Sequence, residues 1–269
     1  MLIACLVLGS VLLCFLLYAI IDCRRLRVVK RSIPLPNLPK ELEGFTILQI
    51  SDLHDCAYGK DGRGLMKLMD TLQWDLLAVT GDLFDWHHPM RHKNALAFAR
   101  YACKKSDVWF VEGNHEKKLP QYQEAYRREL VQMGVHLLDN ASVIMENRNC
   151  SWTLAGIRDG VSEAELKKVL SGEGFRLLLA HRPENIDCYA RAGADLVLSG
   201  HAHGGQWRLF GRGLYAPEQG ILPRYCEGLY KKEGTVLYVS AGAGSHNKIP
   251  RLFNPPRLDL LTLERGEEK

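Results

Sequence analysis

The cysteines of this sequence form no C-x-x-C pair. The 8 cysteines are spread over 269 residues, at positions 5, 14, 23, 56, 103, 150, 188 and 226. Zinc ribbons need closely spaced pairs, and small disulfide-bonded folds need a dense, even-numbered set. The five cysteines beyond residue 23 fit neither class, and they indicate a protein of a reducing compartment.

The sequence also lacks internal repeats, low-complexity tracts and an excess of charge in its main part. Its net charge of +4 arises from one basic cluster near the N-terminus, because the other residues are close to neutral. A near-neutral domain lacks the excess of basic residues that is typical of nucleic-acid-binding proteins, so we expect no nucleic-acid partner. The contents of 46% hydrophobic and 25% charged residues are typical of a globular chain with one large domain or two small ones.

Charge is absent from residues 2–21, "LIACLVLGSVLLCFLLYAII". A helix of this length, at about 1.5 Å per residue, covers the roughly 30 Å of bilayer hydrocarbon. We therefore predict a transmembrane anchor over residues 1–23. A secretory signal peptide is the competing interpretation, but it would need a positive region before the apolar core and a small-residue cleavage site.

The basic cluster follows the apolar segment directly, with Arg24, Arg25, Arg27, Lys30 and Arg31. Basic residues remain on the cytoplasmic side of a membrane, so we expect a single-pass protein of the cell membrane with the bulk of the chain in the cytoplasm. Three prolines follow within "SIPLPNLPKELEG", which favours an extended tether. We predict a basic and proline-rich linker over residues 24–44 and a folded domain over residues 45–265.

Aliphatic runs alternate with helical patterns from Phe45 onward, which predicts an α/β fold. Predicted strands are "FTILQI", "DLLAVT", "VWFVEG", "RLLLAH" and "DLVLSG", and predicted helices lie near residues 63–72, 94–104 and 184–192. Each strand runs into polar residues, in "SDLHD", "GDLFD", "GNHE", "HRPE" and "GHAHGG". Loops beyond the carboxyl ends of strands share one rim, so we expect these residues to converge.

The converging set contains Asp52, His54, Asp82, Asn114, His115, His181, His201 and His203. Carboxylate, imidazole and amide ligands suit Mn, Fe, Zn or Co better than calcium. There are too many ligands for one ion. Two ions bridged by a carboxylate would use them all and would activate a water for attack on phosphorus.

The succession "DLH", "GDLFD", "GNHE", "H" and "GHAH" resembles the signature blocks of the calcineurin-like metallophosphoesterase superfamily, in the same order. "GHAHGGQ" and "LYVSAGAGSHNKIPRLFNPPRLDLLTL" further resemble its bacterial membrane-associated YkuE-like and YaeI-like branch. The resemblance covers about residues 45–263. It implies a four-layer sandwich, in which two central mixed β-sheets are flanked by helices.

The resemblance also implies roles for the residues that match its blocks. One metal would be held by Asp52, His54 and His203, the other by Asn114, His181 and His201, and Asp82 would bridge them. His115 would act on the substrate, by stabilising charge on the phosphoryl oxygens or by protonating the leaving group. Asp85 and Glu116 would orient a ligand or His115. We expect two divalent metal ions, with Mn first and Fe or Zn next, and we interpret His87, His88, His92 and His136 as surface or loop residues.

The resemblance implies a phosphate-ester substrate, and the bond type stays open between phosphomonoester, phosphodiester and pyrophosphate. A membrane anchor beside the rim favours a lipid-linked substrate, and relatives that act on a diacylated UDP-glucosamine make a pyrophosphate conceivable. The stretch from Gly204 to Gly234 mixes aromatic residues with arginines, so it is either a substrate-binding loop or a hairpin with a solvated basic face. The alternative functions are a non-catalytic metal-binding scaffold of the same fold and a dioxygenase-type site, which the surplus of ligands disfavours.

Overall fold

Two six-stranded sheets form the centre of the computed structural model, which describes residues 2–22, 24–119, 122–244 and 251–266. In spatial order, sheet A contains β1 (Arg27–Leu35), β16 (Arg257–Arg265), β2 (Thr46–Ile50), β3 (Leu76–Thr80), β4 (Val108–Val111) and β5 (Val135–Leu137). Sheet B contains β14 (Gly228–Lys232), β15 (Thr235–Val239), β9 (Leu196–Ser199), β8 (Arg176–Ala180), β7 (Cys150–Ile157) and β6 (Ala141–Asn147). Both sheets are mixed, with four neighbouring parallel strands in each.

The helices lie outside these sheets or in the loops between strands. They are α1 (Leu2–Asp22), α2 (Arg63–Met69), α3 (Lys93–Ala102), α4 (Asn114–Lys118), α5 (Arg127–Met133), α6 (Glu163–Val169) and α7 (Ile186–Arg191). A π-helix spans Tyr122–Tyr126, and single 3-10 turns span Lys40–Leu42, Lys60–Gly62, Pro183–Asn185 and His203–Gly205. The described part of the chain also contains four two-residue strands: β10 (Arg208–Leu209), β11 (Arg212–Gly213), β12 (Tyr215–Ala216) and β13 (Gly220–Ile221).

Both faces of the parallel strands are buried, because successive side chains of a strand point to opposite faces. In β3, Leu76 packs between the two sheets, whereas Leu77 packs against the helices outside sheet A. In β8, Leu177 packs between the sheets and Leu178 packs against the helices outside sheet B. The layers are therefore helices, sheet, sheet and helices, and the predicted arrangement of two mixed sheets flanked by helices is confirmed.

The five predicted strands are observed as β2, β3, β4, β8 and β9, and the three predicted helices as α2, α3 and α7. The predicted linker over residues 24–44 is wrong for its central part. Residues 27–35 form β1, which pairs in parallel with β16 along its full length. Ile33 and Leu35 of β1 are buried between the sheets. Pro34 is tolerated because β1 is an edge strand, where a missing N–H need not break a ladder.

Helix α1 exposes most of its large apolar side chains, including those of Leu6, Leu12 and Tyr18. It touches the folded domain through Phe15, whose ring centroid lies 5.2 Å from that of Phe253. Over the described residues, no helix satisfies the length and hydropathy that crossing a bilayer requires. The single-pass anchor stays a prediction.

Candidate metal centre

The residues that follow the parallel strands meet at one rim, where the carboxyl ends of the two sheets face each other. Sheet A supplies the loops after β2, β3 and β4, and sheet B supplies the loops after β8 and β9. The structure buries all eight predicted residues there: Asp52, His54, Asp82, Asn114, His115, His181, His201 and His203. The rim is therefore built from residues that lie up to about 150 positions apart in the sequence.

Two of the four groups of potential ligand atoms that the described residues form at the rim consist of predicted ligands. The first contains Asp52, His54 and His203, whose ligand atoms lie within 4.8 Å of one another. In this group the Nε2 atoms of His54 and His203 are 3.2 Å apart. Both imidazole nitrogens thus face one point, which is the arrangement that a shared cation requires.

The second group contains Asp82, His181 and His201, again with ligand atoms within 4.8 Å of one another. The amide oxygen of Asn114 joins it at 3.2 Å from Nε2 of His181. Oδ2 of Asp82 is 3.2 Å from Nε2 of His181 and 4.0 Å from Nε2 of His54. The Asp82 carboxylate therefore lies between the two groups.

The backbone of this rim is strained at several of the same residues. Positive φ angles occur at Asp52 (52°), His54 (49°), Asp82 (53°), His201 (67°) and His203 (48°). Non-glycine residues rarely adopt this region, and such conformations cluster at functional sites, where the surrounding structure maintains them. Hydrogen bonds from the N–H of Asp52 to the carbonyl of Gly81 and from His54 to the carbonyl of Asp82, each 3.0 Å, hold the first two loops together.

Two glycines allow the carboxylates to approach the backbone. A Cβ atom at Gly113 would lie 2.2 Å from Oδ1 of Asp82, and one at Gly200 would lie 2.4 Å from Oδ2 of Asp52. In the space at Gly200, the Asp52 carboxylate accepts the N–H of His201 at 3.0 Å. Glycine is required at both positions because any side chain would displace a carboxylate of the rim.

Charges of opposite sign are buried side by side in the centre. Burial raises the pKa of Asp52. Burial also acts to raise the pKa of Asp82, but the imidazoles of His181, His115 and His54 outweigh it and hold the pKa well below its usual range. Burial would lower the pKa of His181, but Asp82 outweighs it and raises the pKa to about 10.

This donor set fits metal ions. Buried carboxylate, imidazole and amide donors converge at two adjacent points, and such mixed sets suit divalent first-row metals better than calcium. Binding requires the imidazoles to be neutral, so a cation would take over the counter-charge that protonated histidines provide in its absence. The chemistry of the residues therefore agrees with the expectation of divalent metal ions.

His115 lies beside the two groups and contacts Asp85. Its Nδ1 is 3.2 Å from Oδ1 of Asp85, and its Nε2 is 3.9 Å from Oδ2 of Asp82. Burial would lower the pKa of His115, but these two carboxylates outweigh it and raise the pKa. His87 and His88 lie in a loop, as predicted, but both also contact the Asp85 carboxylate.

Glu116 holds the backbone around Asp82. Its carboxylate accepts the N–H groups of Asp82 at 2.9 Å, Phe84 at 3.0 Å and Gly113 at 2.8 Å. Burial, with the nearby Asp82 carboxylate, raises the pKa of Glu116 to about 7. Glu116 thus positions the loop that carries Asp82.

Sequence reasoning missed Glu218 and Arg182. Oε2 of Glu218 is 2.5 Å from Nε2 of His201, and Oε1 of Glu218 is 3.2 Å from Nη1 of Arg182. Arg182 also pairs with Asp159 and Glu184. The signal for Arg182 was its place directly after His181, whereas Glu218 lies in the stretch from Gly204 to Gly234 and matches none of the signature blocks.

Glu218 belongs to a segment that we call the rim loop, residues 206–227. It forms two short hairpins, β10 with β11 and β12 with β13. Arg208 of this loop pairs with Glu227 at 2.6 Å, and Lys232, beyond the loop, pairs with Asp187 at 3.2 Å. The side chains of Arg208 and Lys232 are therefore paired with carboxylates of the protein.

The family model for calcineurin-like phosphoesterases matches residues 45–205. An uncharacterized metallophosphoesterase of Campylobacter jejuni, Cj0846, is 30% identical, with coverage of 94% of this chain and 68% of the relative. YkuE, an uncharacterized metallophosphoesterase of Bacillus subtilis, is 26% identical, with coverage of 89% and 86%. A transmembrane protein with metallophosphoesterase domain from Danio rerio is 29% identical over 89% of this chain, which spans 58% of that relative's length.

Among solved structures, the 5'-nucleotidase precursor from Thermus thermophilus superposes with a TM-score of 0.51 at 13% sequence identity. The match covers 82% of this chain and 54% of the nucleotidase. At this identity the comparison shows a shared fold.

Proposed function

Because this chain belongs to the calcineurin-like phosphoesterase family, whose members are metal-dependent hydrolases of phosphoric esters, we propose that it carries out this reaction with two metal ions at the rim. The observation that carries the proposal is the pair of ligand groups joined by Asp82. A single-metal site would leave one group of buried carboxylate and imidazoles without a cation. The position of Asp82 between His54 and His181 supports a bridging role.

The first ion would be held by Asp52, His54 and His203, and the second by Asn114, His181 and His201. When bound, two such ions supply positive charge to the phosphoryl oxygens and lower the pKa of an attacking water. Mn is our first choice, with Fe or Zn next, because imidazole, carboxylate and amide donors occur together in sites for these metals.

His115 is proposed as the residue that acts on the substrate. Asp85 faces Nδ1, which leaves Nε2 directed toward the centre, where it can donate a proton to a phosphoryl or leaving-group oxygen. His115 lines a cavity of about 240 Å³ together with Asp82, Asn114, His201, His203, Lys118 and Glu218. Lys118 brings a further positive charge to a cavity that would receive a phosphate group.

We propose a membrane anchor at α1 and a substrate that is lipid-linked, with the catalytic domain on the cytoplasmic side. The support comes from the run of 20 uncharged residues, from the exposed apolar side chains of α1, and from the basic cluster that follows them. One relative is named as a transmembrane protein, which agrees with this proposal. The bond would be a phosphodiester, a phosphomonoester or a pyrophosphate.

The test is hydrolysis by the full chain in detergent. The metal is stripped and Mn, Zn, Fe or Mg is restored, with bis-p-nitrophenyl phosphate and p-nitrophenyl phosphate as substrates. We expect turnover that depends on metal, that Asp82→Ala abolishes and that Asp107→Ala, a change on the exposed surface, preserves. Folded protein that binds two ions and hydrolyses neither these compounds nor phosphate-bearing lipids would instead support the non-catalytic scaffold.

A further inference from the structure

The rim loop exposes a group of large apolar side chains close to the metal centre. Phe210 is 95% exposed and Ile221 is 82% exposed. The other members of the group are Trp207, Leu209, Tyr215 and Leu222. Single exposed apolar residues are common, but a cluster of them on one segment is typical of an interaction surface.

The two hairpins of the rim loop meet at Leu214, whose backbone bonds close both of them, so these side chains belong to one structural unit. The N–H of Leu214 donates to the carbonyl of Trp207 at 2.8 Å, and the N–H of Leu222 donates to the carbonyl of Leu214 at 2.9 Å. Glu218 and Pro217, between the two strands of the second hairpin, line the cavity of the metal centre. The same unit therefore carries an exposed apolar surface and part of the cavity wall.

The rim loop is connected to α1 through a short chain of contacts. Trp207 forms a parallel bridge with Leu252, and the N–H of Arg208 donates to the carbonyl of Leu252 at 2.9 Å. The next residue, Phe253, packs its ring against that of Phe15 in α1. The exposed side chains thus lie on the side of the domain that α1 contacts.

We propose that the rim loop enters the surface of the lipid bilayer, so that the cavity of the metal centre opens toward lipid headgroups. This inference rests on the proposed function, because it takes α1 as the membrane anchor. Phe15 lies seven residues before Asp22, which is about 10 Å along a helix. If Asp22 marks the membrane boundary, the contact between Phe15 and Phe253 lies below that boundary, and the neighbouring rim loop reaches the same depth.

The composition of the rim loop fits a bilayer surface. Trp207 and Tyr215 have amphipathic rings of the type that lie at headgroup level. Arg212, at the first hairpin, is exposed beside Phe210, and Arg24 and Arg25 are exposed directly after α1. Cations next to inserted apolar side chains favour anionic phospholipids. The substrate class is then a phosphate-bearing lipid presented by the bilayer, which reaches His201 and His203 past Glu218.

The experiment uses the quenching of tryptophan fluorescence by lipids brominated on the acyl chains. The full chain is reconstituted in vesicles of phosphatidylcholine with about a quarter phosphatidylglycerol, with and without brominated phosphatidylcholine. We compare the unaltered chain, Trp207→Phe and, as a matched control, Trp74→Phe, whose indole bonds to Ser106 away from the rim. We expect most of the quenching to disappear in Trp207→Phe and to persist in Trp74→Phe. Equal quenching in all three proteins would overturn the proposal.

A second pair of variants tests the apolar side chains themselves. The double substitution Phe210→Ser and Ile221→Ser should reduce the quenching of Trp207 at least twofold, while Ile144→Ser, an exposed isoleucine on β6, should leave it unchanged. Unchanged quenching in the double variant would overturn the proposal. Hydrolysis of bis-p-nitrophenyl phosphate in detergent should be the same in both variants, because neither changes the metal centre.

These measurements distinguish failure of the proposed phosphoesterase activity from failure of the proposed bilayer contact. Hydrolysis of bis-p-nitrophenyl phosphate without quenching of Trp207 would overturn the bilayer contact and leave the phosphoesterase intact. Quenching of Trp207 in protein that hydrolyses nothing would overturn the phosphoesterase and leave the bilayer contact intact. A chain that does not float with vesicles in a density gradient would overturn both the anchor and the contact.

Discussion

At the scale of single residues, His201 differs from the other proposed histidine ligands because one of its ring nitrogens faces Glu218, a carboxylate that is not itself a proposed ligand. Oε2 of Glu218 lies 2.5 Å from Nε2 of His201. A carboxylate that accepts one N–H of an imidazole fixes the tautomer and leaves the other nitrogen free to bind a metal. We infer that Glu218 positions His201 so that Nδ1 faces the second ion.

The substitution Glu218→Gln tests this role. The amide keeps the shape but loses the negative charge, so we expect the affinity for the second metal ion to fall by roughly 10- to 100-fold. Titration of metal into stripped protein, followed by calorimetry, measures the effect. Glu233→Gln, an exposed glutamate in the turn after β14, is the matched control. An unchanged affinity, or a higher one, would show that Glu218 does not support the ligand.

His115 can be separated from the ligands by a change that keeps the metals. We expect His115→Gln to lower turnover of bis-p-nitrophenyl phosphate by roughly 10²- to 10⁴-fold, because a positioned proton donor is lost. The metal content, measured by mass spectrometry of the ions, should remain that of the unaltered chain. His136→Gln, at a half-exposed histidine paired with Asp107, should keep full activity. A loss of metal together with activity in His115→Gln would make this residue a ligand instead.

At the scale of secondary structure elements, β1 shows where the sequence pattern was misleading. The strand contains Arg27, Lys30 and Arg31, whose positive charges were interpreted as a topology signal beside a membrane. Near its end, Ile33 and Leu35 face the core between the sheets. One segment can satisfy both requirements, because its basic residues are exposed while the apolar residues near its end are buried. The pattern predicted an extended chain but not its partner, since β16 lies more than 200 residues away.

The substitution Ile33→Ala distinguishes a core strand from a tether. Its side chain is fully buried, so we expect the free energy of unfolding to fall by about 2–4 kcal/mol through lost apolar contacts and a cavity. Ile144→Ala removes the same atoms from an exposed position and should change the stability by less than about 0.5 kcal/mol. Chemical denaturation in detergent measures both. Equal stabilities would mean that residues 27–35 are a linker after all.

The candidate site was predictable to the extent that it depends on strand ends. Asp52, Asp82 and His181 each follow a short apolar run directly, so the parallel sheet alone places them at one edge. The order of strands was not predictable, because pairing such as β16 with β2 depends on packing between distant segments. Glu218 was missed for the same reason, since the rim loop must fold back over the cavity before its carboxylate meets His201.

At the scale of the whole molecule, the metal centre joins the two sheets. Asp52 and Asp82 follow strands of sheet A, whereas His181 and His201 follow strands of sheet B. Each proposed ion takes ligands from both sheets. Two hydrogen bonds also cross the interface between the sheets. The N–H of His201 donates to the Asp52 carboxylate, and Nε2 of Gln49 donates to the carbonyl of Ser199 at 2.9 Å. Metal binding should therefore stabilise the sandwich as a unit.

Removal of the metals should lower the melting temperature of the full chain. An ion at a hundredfold excess over its dissociation constant stabilises the folded state by about 2.7 kcal/mol, because the unfolded chain lacks the assembled site. For a domain of this size each kcal/mol corresponds to about 2–4 °C, so we expect a rise of roughly 5–10 °C when Mn is restored to stripped protein. Differential scanning calorimetry measures the shift. Asp82→Ala should lose most of it, because it removes the carboxylate between the two groups, while Asp107→Ala should keep it. If Mn raises the melting temperature of Asp82→Ala as much as that of the unaltered chain, the stabilising ion binds elsewhere. Metal at the rim would then not stabilise the contact between the two sheets.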